Sequence, residues 1–208
     1  MDFIEHRELI IGQYSSGSKL DIINRMNSFF TGTGDDGYTS LLGSGRVAKF
    51  DPQPQAYGAM DEASSALGLA KSFSKSKRSV ELAQDIQRDL YHLMAEVAAT
   101  AENRLKFQQI DQERIDWLEE QIEILADNVE VPKEFVIPGD STAGAAFDLA
   151  RTIIRRAERA VAELYIKHDF AIPHIVHYLN RLSSLCFVLA LWENKQAGVE
   201  HPSLAKEK

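Results

Sequence analysis

The sequence predicts an all-α fold, a five-helix antiparallel bundle, and three observations predict it. From Pro54 onward, apolar residues recur at steps of three and four over long windows, which is the helical period. No strand-rich block interrupts those windows. The breaks between them are short and carry proline, glycine or capping residues, so consecutive helices fold back on one another.

Residues 1–29 read as an amino-terminal extension, with a short apolar patch at Leu9–Ile11 and a SSGS break. The bundle is expected over 30–196, followed by a tail, 197–208. Its first helix covers about Gln55–Ser74, where Gly58, Ala59, Ala63, Ala66 and Gly68 allow another helix to approach closely. Asp61 and Glu62 are acids in this otherwise small and apolar region; such an acid either pairs, with the arginine row of the fourth helix within the subunit or across an interface, or Asp61 is exposed. The second helix, about Lys77–Glu102, buries Leu82, Ile86, Leu90, Leu93 and Val97. The third, near Gln112–Asn128, repeats the stripe with Ile115, Leu118, Ile122 and Leu125, and Asp111 is its cap. Two prolines and two glycines in VEVPKEFVIPGDSTAGAA end it. A fourth helix runs from Ser141 or Thr142 to about Lys167 with Leu149, Ile153, Ala157, Val161 and Leu164 inward. The fifth starts beside Pro173 and reaches about Lys195.

At 208 residues, 44% hydrophobic and 26% charged, the chain can bury an ordinary core in one or at most two domains. A net charge of −8 argues against a protein that coats nucleic acid or anionic lipid, so any anion site must be local. The only cysteine, Cys186, allows no internal disulfide and suggests a reducing compartment. Asp2 and Glu5 replace the basic start of a leader, and no apolar run reaches the ~18 residues of a membrane span. The expectation is a cytoplasmic protein without nucleic-acid or membrane partners.

Chemistry concentrates in three places. TGTGDDGYTSLLG, Thr31–Gly43, holds four glycines, two adjacent aspartates and four Thr or Ser hydroxyls. Gly32, Gly34 and Gly37 spell G-x-G-x-x-G, but a helical stretch precedes them and no helix starts on them, so the dinucleotide reading fails. No Gly-Lys-Ser/Thr triplet closes the loop, so the Walker reading fails too. What remains is either a flexible connector or a loop of N–H groups and hydroxyls that wraps an anion, with Asp35 and Asp36 available to a divalent metal. On the fourth helix Arg151, Arg155 and Arg159 follow at i, i+4 and i+8, with Arg156 on the flank. Like charges so spaced repel by about 0.2–0.5 kcal/mol per pair, so an anion should offset them. The candidates are Asp148, Glu158 and neighbouring helices, or a phosphate, which guanidinium forks suit well. On the fifth helix Asn180 interrupts an apolar run, as a tied buried amide or as a ligand contact. His174 and His177 lack companions for a metal set, and His92 reads as a half-buried helix residue.

In order and spacing, TGTGDDGYTSLLG, KFDPQPQAYGAMDEASSALG, FVIPGD, ARTIIRRAER and YLNRLSSLCFVLA resemble the PduO-type ATP:cob(I)alamin adenosyltransferases over about Phe30–Asn194. The resemblance implies a ferritin-like five-helix bundle assembled as a homotrimer, with ATP, magnesium and a cobalamin substrate between subunits. It implies transfer of the 5′-deoxyadenosyl group of ATP to cobalt(I), with release of triphosphate. Thr31, Gly34, Asp35, Gly37 and Thr39 then correspond to the nucleotide loop and Lys49 to a phosphate contact. Arg155, Glu158 and Asn180 correspond to nucleotide-facing helix residues, and Arg151 to an arginine that pairs with Asp61 across the subunit boundary. Phe135 takes the place of the aromatic that displaces the corrinoid's lower ligand. A cobalamin reductase or an adenosylcobalamin-dependent enzyme is the further partner so implied. The sequence departs from the family where Gln53, Ser184 and Leu191 stand in place of an arginine, an aspartate and an arginine. Those departures leave open a corrinoid- or ATP-binding carrier or sensor of the same fold.

Overall fold

A computed structural model describes residues 31–206, and the expectations for residues 1–29 lie outside them. The chain divides into two compact units, 1–39 and 40–208. Two short strands, β1 (Tyr38–Ser40) and β2 (Arg46–Ala48), precede the helices α1 (Pro52–Phe73), α2 (Lys77–Ala98), α3 (Arg104–Phe107), α4 (Gln112–Ala126), α5 (Thr142–Lys167) and α6 (Pro173–Gln196). The all-α expectation holds, with α3 as a single extra turn between the second and third expected helices.

The capping residues act as their types require. Asp111 accepts the Arg114 N–H at 3.0 Å, and Ser141 accepts the Gly144 N–H at 3.0 Å, each satisfying one orphan donor of a first turn. Ser76 does the same for α2 through Ser79. α1 packs on α5 and α2, α5 packs on α6, and α4 packs on α6. Ala63 and Ala66 are buried on α1, as its small-residue pattern requires. The core gathers Leu82, Ile86, Leu90, Leu93 and Val97 of α2, Phe147, Ile154 and Val161 of α5, and Leu179, Leu182, Cys186 and Leu189 of α6. By length and composition α6, with a mean hydropathy of 1.3, could cross a membrane, but 61% of that window is buried inside the bundle.

Three expectations need correction. Leu149 does not face the core; it is 49% exposed, because the inward stripe of α5 runs through Phe147 and Ala150. Ile122 is only partly buried and packs at the margin of the core. α2 stops at Ala98 rather than Glu102, because a long-range pairing takes over its last groups. The Leu42 N–H donates to the Ala98 carbonyl at 2.9 Å and the Thr100 N–H donates to the Leu42 carbonyl at 3.2 Å. This pairing also explains Gly43, where a Cβ would fall 2.2 Å from the Thr100 hydroxyl.

Candidate nucleotide and corrinoid site

The described part of the first unit, residues 31–39, is a succession of tight turns. The Asp35 N–H donates to the Gly32 carbonyl and the Gly37 N–H to the Gly34 carbonyl, both at 3.2 Å. Gly32 and Gly37 have φ of 71° and 86°, angles that other residues adopt only with strain. The Asp36 carboxylate accepts the Tyr38 N–H at 3.1 Å, and the Thr31 and Thr33 hydroxyls meet at 2.8 Å. Asp36 is thus occupied with shaping the loop, and both Asp35 and Asp36 are exposed. Thr39, at the end of this unit, lies in β1. Among the described residues no group of three or more His, Cys, Asp or Glu could hold a metal ion.

In the second unit, a cleft of about 250 Å³ opens between α5 and α6, lined by Arg151, Arg155, Ser183, Ser184, Phe187 and Val188. Arg151 donates from Nε and Nη2 to Asp148 at 2.7 and 3.3 Å, an i, i+3 pair on the same helix. Arg156 pairs with Glu62 of α1, so within the chain it is Glu62, rather than Asp61, that reaches the arginine row. Asp61 is exposed on α1. Among the described residues Arg155 and Arg159 have no carboxylate partner, and both are exposed. Lys49, just ahead of α1, is exposed as well.

Asn180 sits at a junction. Its Nδ2 donates to Glu158 at 2.9 Å, and its Oδ1 accepts from Arg181 Nη1 at 2.8 Å. Arg181 Nε in turn donates to Glu119 of α4 at 2.6 Å. The amide therefore presents its nitrogen on the Glu158 side, with one N–H left to offer a ligand acceptor. The family resemblance brought Glu158 forward as a candidate, and the same resemblance with its place in an apolar run brought Asn180, but Arg181–Glu119 joins residues 62 apart in sequence on two helices, and no local signal announces it. Cys186, fully buried under this surface, has its thiol pushed up to about 12, chiefly by burial.

The remaining candidates fall elsewhere. Gln53 donates from Nε2 to the carbonyls of Val97 and Ala99 at 2.7 and 3.2 Å, so its amide caps the end of α2. Ser184 is exposed, and Leu191 is 4% exposed. Phe135 lies between α4 and α5 with 74% of its surface exposed. His174 pairs with the buried Glu96 at 2.9 Å, which accounts for it without a metal. His92 is half-buried, as expected. It lines a larger cleft, about 420 Å³, with Asp89, Asp111, Glu113, Arg114 and Trp117. That cleft suits an anion poorly, since three acids surround its one arginine and Asp89 already holds it at 2.8 Å.

The family model for cobalamin adenosyltransferase matches residues 29–193. The chain belongs to the cobalamin adenosyltransferase family. Among the family's members, the chain is 36% identical over 172 residues to the corrinoid adenosyltransferase PduO of Citrobacter freundii, covering 82% of this chain and 51% of that protein. It thus spans about half the length of the PduO relatives it matches. A corrinoid adenosyltransferase of Mycobacterium bovis is 34% identical over 178 residues, covering 84% of this chain and 92% of that protein. A solved variant of the PduO-type ATP:corrinoid adenosyltransferase from Lactobacillus reuteri, complexed with cobalamin and ATP, superposes with a TM-score of 0.80 at 29% identity. That match covers 86% of this chain and all of the other, so the family's fold is this chain's fold.

Proposed function

We propose that this chain is an ATP:corrinoid adenosyltransferase. The observation that carries the proposal is Arg155, without a carboxylate partner among the described residues, in a cleft beside Arg151, Ser183 and Ser184, in a chain of net charge −8. In an acidic protein, a cation that no described carboxylate reaches has a place for an anion. In the reaction, the electron pair of cobalt(I) forms the Co–C bond at the 5′-carbon while the C–O bond breaks, and triphosphate departs with the pair of the broken C–O bond. No general base is needed. The protein's task is to hold the nucleotide and to neutralise the leaving group.

Arg155, with Arg159 and Lys49, supplies charge to the triphosphate. Within the first unit, the N–H groups and hydroxyls of Thr31, Gly34, Gly37 and Thr39 are the donors this reading assigns to phosphate oxygens. Glu158 and Asn180 orient the ribose or base. Asp35 and the loop's threonine hydroxyls are oxygen donors of the kind magnesium takes, and with no group of three acids among the described residues they would hold it together with phosphate oxygens, where it would neutralise charge on the triphosphate. Phe135 crowds the corrinoid's lower face. The working unit is a homotrimer in which Asp61 of one subunit meets Arg151 of the next, and a cytoplasmic setting suits the reduced cobalt. A reductase, or an enzyme that consumes adenosylcobalamin, is the further partner of this reading.

A carrier or sensor is the second reading. Gln53 is occupied on backbone carbonyls, so one charge expected to neutralise the triphosphate is missing, and Ser184 with the buried Leu191 takes the place of a charged pair near the site. One anaerobic experiment separates the two. With MgATP and chemically reduced cobalamin, the enzyme forms the adenosylcobalamin spectrum, and MgATP raises the melting temperature. Binding of both ligands without a Co–C bond points to the carrier, failure to bind ATP removes the transferase, and binding of neither ligand removes both readings.

A further inference from the structure

The carboxy-terminal segment lies along the loop that carries Phe135. Among the described residues, segment 130–140 makes two backbone-to-backbone hydrogen bonds, both to this segment. The Ile137 N–H donates to the Ser203 carbonyl, and the Ala205 N–H donates to the Phe135 carbonyl, each at 2.8 Å. They flank an antiparallel bridge between Val136 and Leu204. Asp140 then takes Ser203 twice, accepting its N–H at 2.9 Å and its hydroxyl at 2.6 Å. At the loop's start His201 Nδ1 lies 2.9 Å from Glu130, a pair too exposed to contribute much.

The loop has little else to hold it. Pro132 and Pro138 have no N–H to donate, and Gly139 adopts a φ of 129°. Val131, Phe135 and Ile137 are all exposed, so their side chains do not pin the backbone either. The Phe135 carbonyl, one bond from the Cα that carries the ring, is held by the tail alone among the described backbone groups.

We infer that residues 203–205 form a clasp that positions Phe135 for the corrinoid, with Asp140 and Ser203 as positioning residues. The inference rests on the corrinoid reading of Phe135 given above. An exposed aromatic ring can press on a flat ligand only if its backbone stays put when pushed, and the two backbone bonds and the Asp140 contacts supply that resistance.

The test uses the full-length chain, Asp140→Ala, Ser203→Ala, Ser203→Thr, a chain ending at Pro202, and Phe135→Ala as reference. The readouts are the fraction of cob(II)alamin rendered four-coordinate in the presence of ATP, kcat, and KM for each substrate. The chain ending at Pro202 and Asp140→Ala should lose about ten-fold in kcat and in the four-coordinate fraction, approaching Phe135→Ala. KM for ATP and the ATP-induced melting shift should hold. Ser203→Ala should fall between, and Ser203→Thr, which keeps the hydroxyl, should match the parent. Parent-like corrinoid behaviour in the chain ending at Pro202, with Phe135→Ala impaired, sinks the clasp and spares the role of Phe135. Loss of the ATP shift in the clasp variants also sinks it, because the effect is then general unfolding. A silent Phe135→Ala removes the corrinoid reading and the clasp together.

Discussion

Arg114 and Arg155 both project from long helices, yet one is closed off and the other open. Arg114 of α4 donates to Asp89 at 2.8 Å and stacks on Trp117 with its guanidinium carbon 3.6 Å from the ring centre. The same Asp89 oxygen accepts the Tyr178 hydroxyl at 2.6 Å, and burial, reinforced by Asp89, pushes that phenol well above its ordinary range. Every charge in this cluster has a partner inside the chain. Arg155 has none among the described residues, and it borders a cleft that also holds Arg151 and two serines. The difference teaches that an arginine's type and helical position do not mark it as functional. What marks it is whether the fold has already supplied its anion.

The largest effect should come from opening the closed cluster. Asp89→Ala leaves Arg114 and the buried Tyr178 hydroxyl without their acceptor, and should destabilise the protein by about 3 kcal/mol, the low end for a broken buried pair. Asp89 is nearly buried while Arg114 keeps about a quarter of its surface, which argues for the low end. Urea denaturation measures it. A loss under ~0.5 kcal/mol, the range of ordinary surface changes, would show that the cluster is not closed in the sense drawn here.

Arg155→Ala should do the reverse, with stability nearly unchanged and transfer slowed. A charge-assisted contact to the leaving triphosphate is worth about 1.5–3 kcal/mol, so kcat/KM should fall roughly ten- to a hundred-fold. Steady-state kinetics beside a melting curve tests both halves. Parent-like kinetics would make Arg155 a solvated surface residue and erase the contrast with Arg114.

The smallest effect sharpens the boundary between the two regions. Cys186 lies beneath the arginine row, where burial raises its thiol to about 12, partly countered by Arg151. In the unfolded chain the thiol ionises near 9, so its folded-state protonation costs nothing at neutral pH. Between pH 9 and 12 the unfolded state gains the thiolate and the folded state does not, so stability falls as pH rises. At pH 10 the loss is about 1.4 kcal/mol from this group. Cys186→Ala should flatten that part of the alkaline limb, read as the difference in unfolding free energy between pH 8 and pH 10. An unchanged slope would mean that the thiol is not closed off beneath the row.

Much of the bundle was legible in the sequence because its information is local. The α2 stripe Leu82, Ile86, Leu90, Leu93, Val97 is fully buried, and Asp111 and Ser141 cap α4 and α5 as their types and positions require. Nothing local in Ala99–Asn103 ends α2, since what ends it is Leu42, more than fifty residues earlier. Leu149 falls on the helical period but just beyond the arc that α5 buries. The arginine row was visible, and so was the acid Asp148 three residues from Arg151. Which arginine would be matched across helices was not, because Glu62 reaches Arg156 only through the packing of α1 on α5.

The sequence by itself determined the helices, their caps, the glycine-rich turns and the family, because each is written in residues within a few positions of one another or in motifs read in order. Tertiary structure alone decided which polar groups far apart in the sequence were paired. Glu119 holds Arg181, Gln53 closes the end of α2, and Ser203 and Ala205 return to the Phe135 loop through Asp140 and two backbone bonds. Each of these pairs joins residues at least 44 apart, so its energy depends on where the packed helices and their connecting loops deliver the two ends.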